Sequence, residues 1–280
     1  MNDEKEKKEE QLKANLARIR HRIIVMSGKG GVGKSFIAAN LAYGLALQGK
    51  KVGILDADIH GPSVAKITNI EGKPIPVHPQ NGLPTPIKVT SNLSVLSVAS
   101  LLRSDHDALI WRGPMKMALL KQFFSDFYWE ELDYLVVDCP PGTGDEPLSM
   151  VQIMGNVDGV VIVTTPQDIA TIDVNKAIDF THKLGLPVIG VVENMKFFRC
   201  PKCQEMTPIF EGEQLKEMLE ENELEILAEL EIDPDIAKST DEGKPYIYFY
   251  NQNRSAQILN DAVNKIINWI EKEDSQQAEI

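Results

Sequence analysis

Apolar positions along this chain follow two spacings. Continuous apolar runs such as Arg22-Ile23-Ile24-Val25-Met26, Val52-Gly53-Ile54-Leu55 and Tyr134-Leu135-Val136-Val137, with two more over 159–165 and 187–192, are bounded by turn residues. Such runs predict strands buried on both faces. Between them lie helical patterns at 36–46, at about 169–184, and at 115–124, where positions 115, 119, 120, 123 and 124 share a face. This alternation implies an α/β architecture of three layers, a mainly parallel sheet covered by helices on both faces. Residues 69–98 carry many prolines and short alternating runs, Ile87-Lys88-Val89 and Leu93-Ser94-Val95-Leu96-Ser97-Val98, and predict an inserted loop with hairpin-like strands. Beyond Met195 the pattern predicts an exposed loop through Phe197 and Cys203, helices near 211–221 and 254–272, and a last strand over 227–232. Asp233-Pro234-Asp235 then opens a turn into a short helix. No linker divides the body, which is expected to be one domain over 21–272. A charged extension over 1–20 precedes it, with Leu12, Leu16 and Ile19 at helical spacing, and a polar, mobile tail over 273–280 follows. The first ten residues, almost wholly charged, also read as a frayed, solvated terminus.

The first strand runs into Ser27-Gly28-Lys29-Gly30-Gly31-Val32-Gly33-Lys34-Ser35, which fits G-x-x-x-x-G-K-[ST]. Strand, glycine loop and helix together make a phosphate cradle: glycines let the amides approach closely, and the helix N-terminus adds positive potential. Lys34 is expected along the β- and γ-phosphates and the Ser35 hydroxyl on Mg²⁺. Two later strands end in carboxylates, at Asp56-Ala57-Asp58 and at Asp138. In open α/β sheets ligands sit beyond the carboxyl ends of strands, so these residues arrive where a nucleotide would lie. Asp138 is placed to hold the metal through water. The Pro140-Pro141-Gly142-Thr143-Gly144 loop that follows is expected to sense a γ-phosphate through an amide near Gly142. Arg112 before Gly113-Pro114 could meet a partner or be a plain solvated arginine.

Composition narrows the class. With 43% apolar and 25% charged residues over 280 positions, the chain can build a sizeable core. A net charge of −12 disfavours unspecific attraction to nucleic acid or to anionic lipid. No apolar run approaches the ~18 residues needed to span a membrane, and the charged start has no apolar signal core. Of the three cysteines, two stand in Cys200-Pro201-Lys202-Cys203, which is no disulfide framework. Without a secretory signal such a pair points to metal or redox chemistry, and the expected compartment is the cytosol.

The second lysine ahead of the glycines, Lys29, gives the deviant Walker A pattern and resembles the ATPase group of MinD, ParA and the nitrogenase iron protein. Asp56-Ala57-Asp58-Ile59-His60-Gly61-Pro62-Ser63, Asp138-Cys139-Pro140-Pro141-Gly142-Thr143-Gly144-Asp145, the Cys200/Cys203 pair and Asp241-Glu242-Gly243-Lys244-Pro245 are together similar to the Mrp/ApbC iron–sulfur cluster carriers, over about 20–270. There are departures: Phe36 replaces a frequent threonine, no glycine-rich run follows Cys203, and no four-cysteine stretch precedes the loop. The last points to the shorter carrier type. The resemblance implies a P-loop NTPase fold, ATP with Mg²⁺, and a homodimer in which Lys29 reaches the phosphates of the other subunit. A plain solvated Lys29 is the alternative. It also implies that Asp58 orients or deprotonates the attacking water and that Asn194 contacts adenine, the alternative being that Asn194 caps a turn.

Two thiolates do not complete a four-coordinate centre. An isologous dimer doubles them, so Cys200 and Cys203 of both subunits would make a Cys₄ site for a bridging 4Fe–4S cluster. A structural zinc, a thiol–disulfide pair and an inert loop remain open. Cys139, at a strand end before Pro140, is expected to be buried and structural. The leading expectation is a slow Mg-dependent ATPase that takes a cluster from a scaffold and delivers it to apo iron–sulfur proteins, with no nucleic acid or membrane involved. Its rivals are a MinD- or ParA-like positioning ATPase with a structural zinc or no metal, and an electron donor like the nitrogenase iron protein.

Overall fold

A computed structural model describes residues 2–101, 113–200, 202–210 and 212–278, so Arg112 lies outside the described residues. In chain order the elements are α1 (Asn2–Ala17), β1 (Ile19–Met26), α2 (Lys34–Leu47), β2 (Val52–Asp56), α3 (Val64–Ile67), β3 (Ile87–Lys88), β4 (Leu93–Ser97), α4 (Gly113–Ser125), β5 (Leu132–Asp138) and α5 (Asp145–Met154). Then follow β6 (Gly159–Thr164), α6 (Asp168–Lys183), β7 (Val188–Arg199), β8 (Met206–Pro208), α7 (Glu213–Glu221), β9 (Ile226–Ile232), α8 (Pro234–Asp241), α9 (Tyr246–Phe249) and α10 (Arg254–Ala278).

The strands form one sheet in the order β3-β4-β2-β5-β1-β6-β7-β8, with β9 also pairing β7. All pairs are parallel except β3–β4 and β7–β8. Burial on both faces explains the uninterrupted apolar strands, because successive side chains point to opposite faces. Ile23 and Val25 pack with α2, α9 and α10, whereas Ile24 and Met26 pack with α1, α4, α5, α6 and α7. Val161 and Val163 against Val160 and Ile162 divide in the same way. Helix α2 lies under α10, and a Cβ at Gly44 would stand 2.6 Å from Val263 Cγ2.

Several expectations change. The β3–β4 hairpin is present, but β4 also pairs in parallel with β2 and so belongs to the main sheet rather than to an insertion. Ile19 opens β1 and is no part of the α1 stripe; Leu12 and Leu16 bury that stripe. The charged start is helical from Asn2, with Lys5 to Glu10 exposed. What docks α1 is Asn15, fully buried: its Nδ2 donates to the Phe124 and Phe127 carbonyls at 2.7 and 2.6 Å, and its Oδ1 accepts from the Trp129 amide at 3.2 Å. Phe197 to Arg199, expected in an exposed loop, instead extend β7, paired with β8 on one side and, through Phe197 and Phe198, with β9 on the other. Helix α10 continues past Lys272 to Ala278.

Candidate functional site

The glycine loop leaves β1 at Met26 and enters α2 at Lys34, held by packing on two sides. A Cβ at Gly28 would stand 2.3 Å from the backbone oxygen of Asp173 in α6. Gly33, in the left-handed region at φ +88°, lies against Asn194, whose Nδ2 a Cβ there would meet at 2.3 Å. Gly31 is also left-handed, at φ +80°, while Gly30 and Gly31 face solvent. Val32 is buried. No side chain caps the N-terminus of α2 at Gly33, so its first amides remain available to an anion.

Lys34 is 6% exposed and its Nζ donates to Asp138 Oδ1 at 2.6 Å, with Asp58 Oδ2 at 3.7 Å and Ser35 Oγ at 3.4 Å. Burial works against the Lys34 charge, but Asp138, Asp58 and Asp56 outweigh it and hold the ammonium above its ordinary range. Three carboxylates converge on one lysine because Asp56 and Asp138 are register neighbours at the ends of β2 and β5, and Asp58 follows two residues on. Burial, then the charge of Asp138, pushes the Asp56 carboxyl up to about 8. Asp138 is fully buried and its Oδ2 has no hydrogen-bond partner. An orphaned carboxylate oxygen beside a serine hydroxyl and surplus negative charge fits a hydrated divalent cation.

The remaining sequence-derived residues are placed as follows. Lys29 is half-buried and donates to Gln167 Oε1 at 2.7 Å, so it is tethered within its own chain rather than loose in solvent. Asn194 stands at an irregularity in β7 where Met195 has φ +59°. Its Nδ2 donates to the Val32 carbonyl at 2.9 Å and its Oδ1 accepts from the Met195 amide at 3.0 Å, so both ends of the amide hold backbone. The Gly142 amide, expected to face a γ-phosphate, instead donates to the Ser27 carbonyl at 2.7 Å and ties the loop after β5 to the glycine loop. Cys139 is buried, its thiol pushed up to about 12 by burial.

Cys200 and Cys203 lie apart from this cluster, at the turn between β7 and β8. The Cys200 amide donates to the Glu205 carbonyl at 2.9 Å and the Gln204 amide to the Cys200 carbonyl at 2.8 Å. Amides of Cys203 and Lys202 also point at the Cys200 sulfur and hold its thiol below the ordinary range. A knuckle of amides around a sulfur favours the thiolate, the form that binds metal. Among the described residues no group of three or more His, Cys, Asp or Glu could hold a metal ion.

Gln167 escapes sequence reasoning; the only signal was its place just past a strand end. A polar cluster also escapes it: Lys116 of α4 donates to Glu146 Oε1 at 2.5 Å and lies 2.7 Å from His60 Nε2. It joins the loop after β2 and the first turn of α5 to α4. Glu146 and His60 flank the aspartate stretches, but Lys116 came from a helix with no chemical signature.

A mainly parallel sheet whose glycine loop feeds an uncapped helix, with a second lysine ahead of the glycines, defines a nucleotide-binding P-loop protein of the deviant Walker A class. The chain belongs to the ParA group, matching the family described as NUBPL iron-transfer P-loop NTPase over residues 18–267. It is 42% identical over 255 residues to a cytosolic Fe-S cluster assembly factor, NUBP2, of Rattus norvegicus, covering 90% of this chain and 94% of that one. It is 41% identical over 236 residues to an iron-sulfur cluster carrier protein of Methanocaldococcus jannaschii, covering 84% and 81%. Among solved structures, a nucleotide-binding protein of Archaeoglobus fulgidus in complex with ADP matches with TM-score 0.75 at 37% identity, over 89% of this chain and 95% of that one. The cell division ATPase MinD of Pyrococcus furiosus shares the fold, with TM-score 0.63 at 22% identity over 89% and 98%. No helix among the described residues is long and apolar enough to cross a membrane.

Proposed function

We propose that the protein is a cytosolic, homodimeric Mg-ATPase that carries a 4Fe–4S cluster between two subunits and delivers it to apo iron–sulfur proteins. The observation that carries this reading is the Cys200–Cys203 knuckle, two thiols shaped for metal in a chain whose described residues gather no group of three or more ligands. A second copy supplies the other two thiolates, and four thiolates suit a 4Fe–4S cluster. Such a cluster, held by two cysteines per chain at a solvent-facing turn, is cargo.

In the nucleotide site Lys34 exchanges Asp138 for the β- and γ-phosphates, and α2 offers them its first amides. Ser35 and Asp138 would hold Mg²⁺, Asp138 through water; the cation supplies charge neutralisation at the β- and γ-oxygens. Asp58 orients a water and takes its proton as the water oxygen bonds to the γ-phosphorus. The bond from that phosphorus to the β–γ bridging oxygen breaks, and ADP leaves with the electron pair. Lys29 leaves Gln167 to reach the phosphates bound by the partner subunit, so turnover requires the dimer. Asn194 keeps the loop closed beneath the nucleotide and flanks the adenine.

Anaerobic reconstitution of the purified protein with iron and sulfide, followed by visible absorption and iron analysis, tests the reading. Wild type should gain cluster absorption and a dimeric mass, and Cys203→Ala neither. A wild type that keeps zinc and takes up no cluster overturns it in favour of a structural zinc. Lys34→Ala should abolish ATP turnover. Lys29→Ala should lose hydrolysis while keeping ATP binding; equal loss of both refutes a role across the dimer.

A further inference from the structure

The loop that presents Asp58 is closed by a residue outside the phosphate-binding machinery. Asp56 ends β2 and is fully buried, flanked in register by Ser97 of β4 and Asp138 of β5. Its Oδ1 accepts from the Asp58 amide at 3.3 Å, and its Oδ2 accepts from the Val64 amide at 3.2 Å and from Ser97 Oγ at 2.9 Å. One carboxylate thus holds both ends of the segment 57–63 that leads into α3. Within that segment Asp58 spends one oxygen on the loop: Oδ1 accepts from the amides of His60 at 3.3 Å and Gly61 at 3.2 Å. Its other oxygen, Oδ2, faces Lys34 at 3.7 Å. The direction of that reactive oxygen is a consequence of the loop's closure, and the closure runs through Asp56.

We propose that Asp56 is a positioning residue for ATP hydrolysis, stapling the two ends of the 57–63 loop so that Asp58 Oδ2 is held toward the nucleotide. The inference rests on the ATPase reading above. Burying a carboxylate beside Asp138 is costly. An asparagine would fill the space without that penalty, but would lack an acceptor on one of the two sides. The carboxyl group has acceptors on both in either protonation state, because each of its oxygens keeps a lone pair for an amide: Val64 and Ser97 meet Oδ2, and Asp58 meets Oδ1. Asparagine keeps the shape and turns one oxygen into a donor, which must then oppose either the Asp58 amide or the Val64 amide. One end of the staple opens, and the loop around Asp58 gains freedom while β2 and the glycine loop keep their own bonds.

The test is Asp56→Asn in the full-length protein, read three ways against wild type. A misplacement of about 1 Å at a reacting group costs on the order of 100-fold, so kcat for ATP should fall by ~10- to 100-fold. Loss confined to the transition state leaves the ATP dissociation constant within about threefold. Amide hydrogen exchange at Asp58 and Val64 should speed up without a matching change in the interior of β2. Unchanged kcat with unchanged exchange in the loop overturns the proposal, as does a parallel fall of kcat, ATP affinity and unfolding midpoint, which a merely structural role produces. If Asp56→Asn does not fold, Ser97→Ala removes the hydroxyl that fixes Asp56 Oδ2 and that accepts from the Ala99 amide; it should slow turnover several-fold with ATP affinity unchanged, and wild-type turnover in it overturns the proposal. A wild type that binds ATP without hydrolysing it refutes the ATPase reading, while the exchange measurement still decides whether Asp56 closes the loop.

Discussion

Gly28 and Gly30 belong to the same loop, and a single added methyl group meets different surroundings at each. At Gly28 the new Cβ would stand 2.3 Å from the Asp173 carbonyl oxygen, 2.5 Å from its carbonyl carbon and 2.6 Å from its Cβ. Comfortable contact between carbon atoms is about 3.5–4.0 Å, so the loop and α6 must part by roughly 1 Å. Two of the three atoms are helix backbone, which has no rotamer to escape into. Such overpacking costs about 1–3 kcal/mol, and the backbone partner puts Gly28→Ala at the upper end. At Gly30 nothing lies within 4 Å and φ is not positive, so Gly30→Ala should stay within about 0.5 kcal/mol of wild type. Urea unfolding of the nucleotide-free protein, followed by circular dichroism, reads the difference. With a slope of ~3 kcal/mol/M, the Gly28→Ala midpoint should fall by about 1 M while that of Gly30→Ala stays in place. Equal midpoints, or a larger loss at Gly30, would refute the claim that Gly28 is required for close packing on α6.

Asn15→Ala strips three buried backbone groups near 124–129 of their partner, and should cost about 2–4 kcal/mol and expose α1 to protease before the rest of the chain; protection equal to wild type would deny α1 its dock. Iodoacetamide at neutral pH should label Cys200 and Cys203 in the metal-free folded protein and reach Cys139 only in denaturant, since burial raises that thiol to about 12; early labelling of Cys139 counts against a closed core there. Burial raises the Asp158 carboxyl, but hydrogen bonds from His21 and the Arg22 amide outweigh it and hold the pKa below the ordinary aspartate value. Stabilisation from a depressed carboxyl is present above its unfolded pKa near 4 and disappears as pH falls through the lower folded value. Asp158→Asn should therefore lose about 1 kcal/mol near neutral pH and much less near pH 2. A loss independent of pH would refute that account.

The sequence by itself determined the layered α/β body and the nucleotide loop. Both are written in local chemistry: period-free apolar runs make strands covered on two faces, and a glycine loop between strand and helix fits few ligands other than phosphate. It also placed Asp58 and Asp138, because residues at and just after a strand's carboxyl end collect on one edge of a parallel sheet. Tertiary structure decided what depends on partners distant in the chain. Lys29 meets Gln167, Asn194 holds Val32, and Asn15 docks the charged N-terminal helix. The Gly142 amide belongs to Ser27, and β7 runs on through Phe197 because β8 and β9 flank it. None of these pairings has a period or a spacing to reveal it, since a hydrogen bond between residues a hundred positions apart leaves no local signature. The same reason separates Asp56 from Asp58, two aspartates alike in sequence. Only the arrival of Ser97 and the Val64 amide makes the first a staple and leaves the second an oxygen free to face the nucleotide.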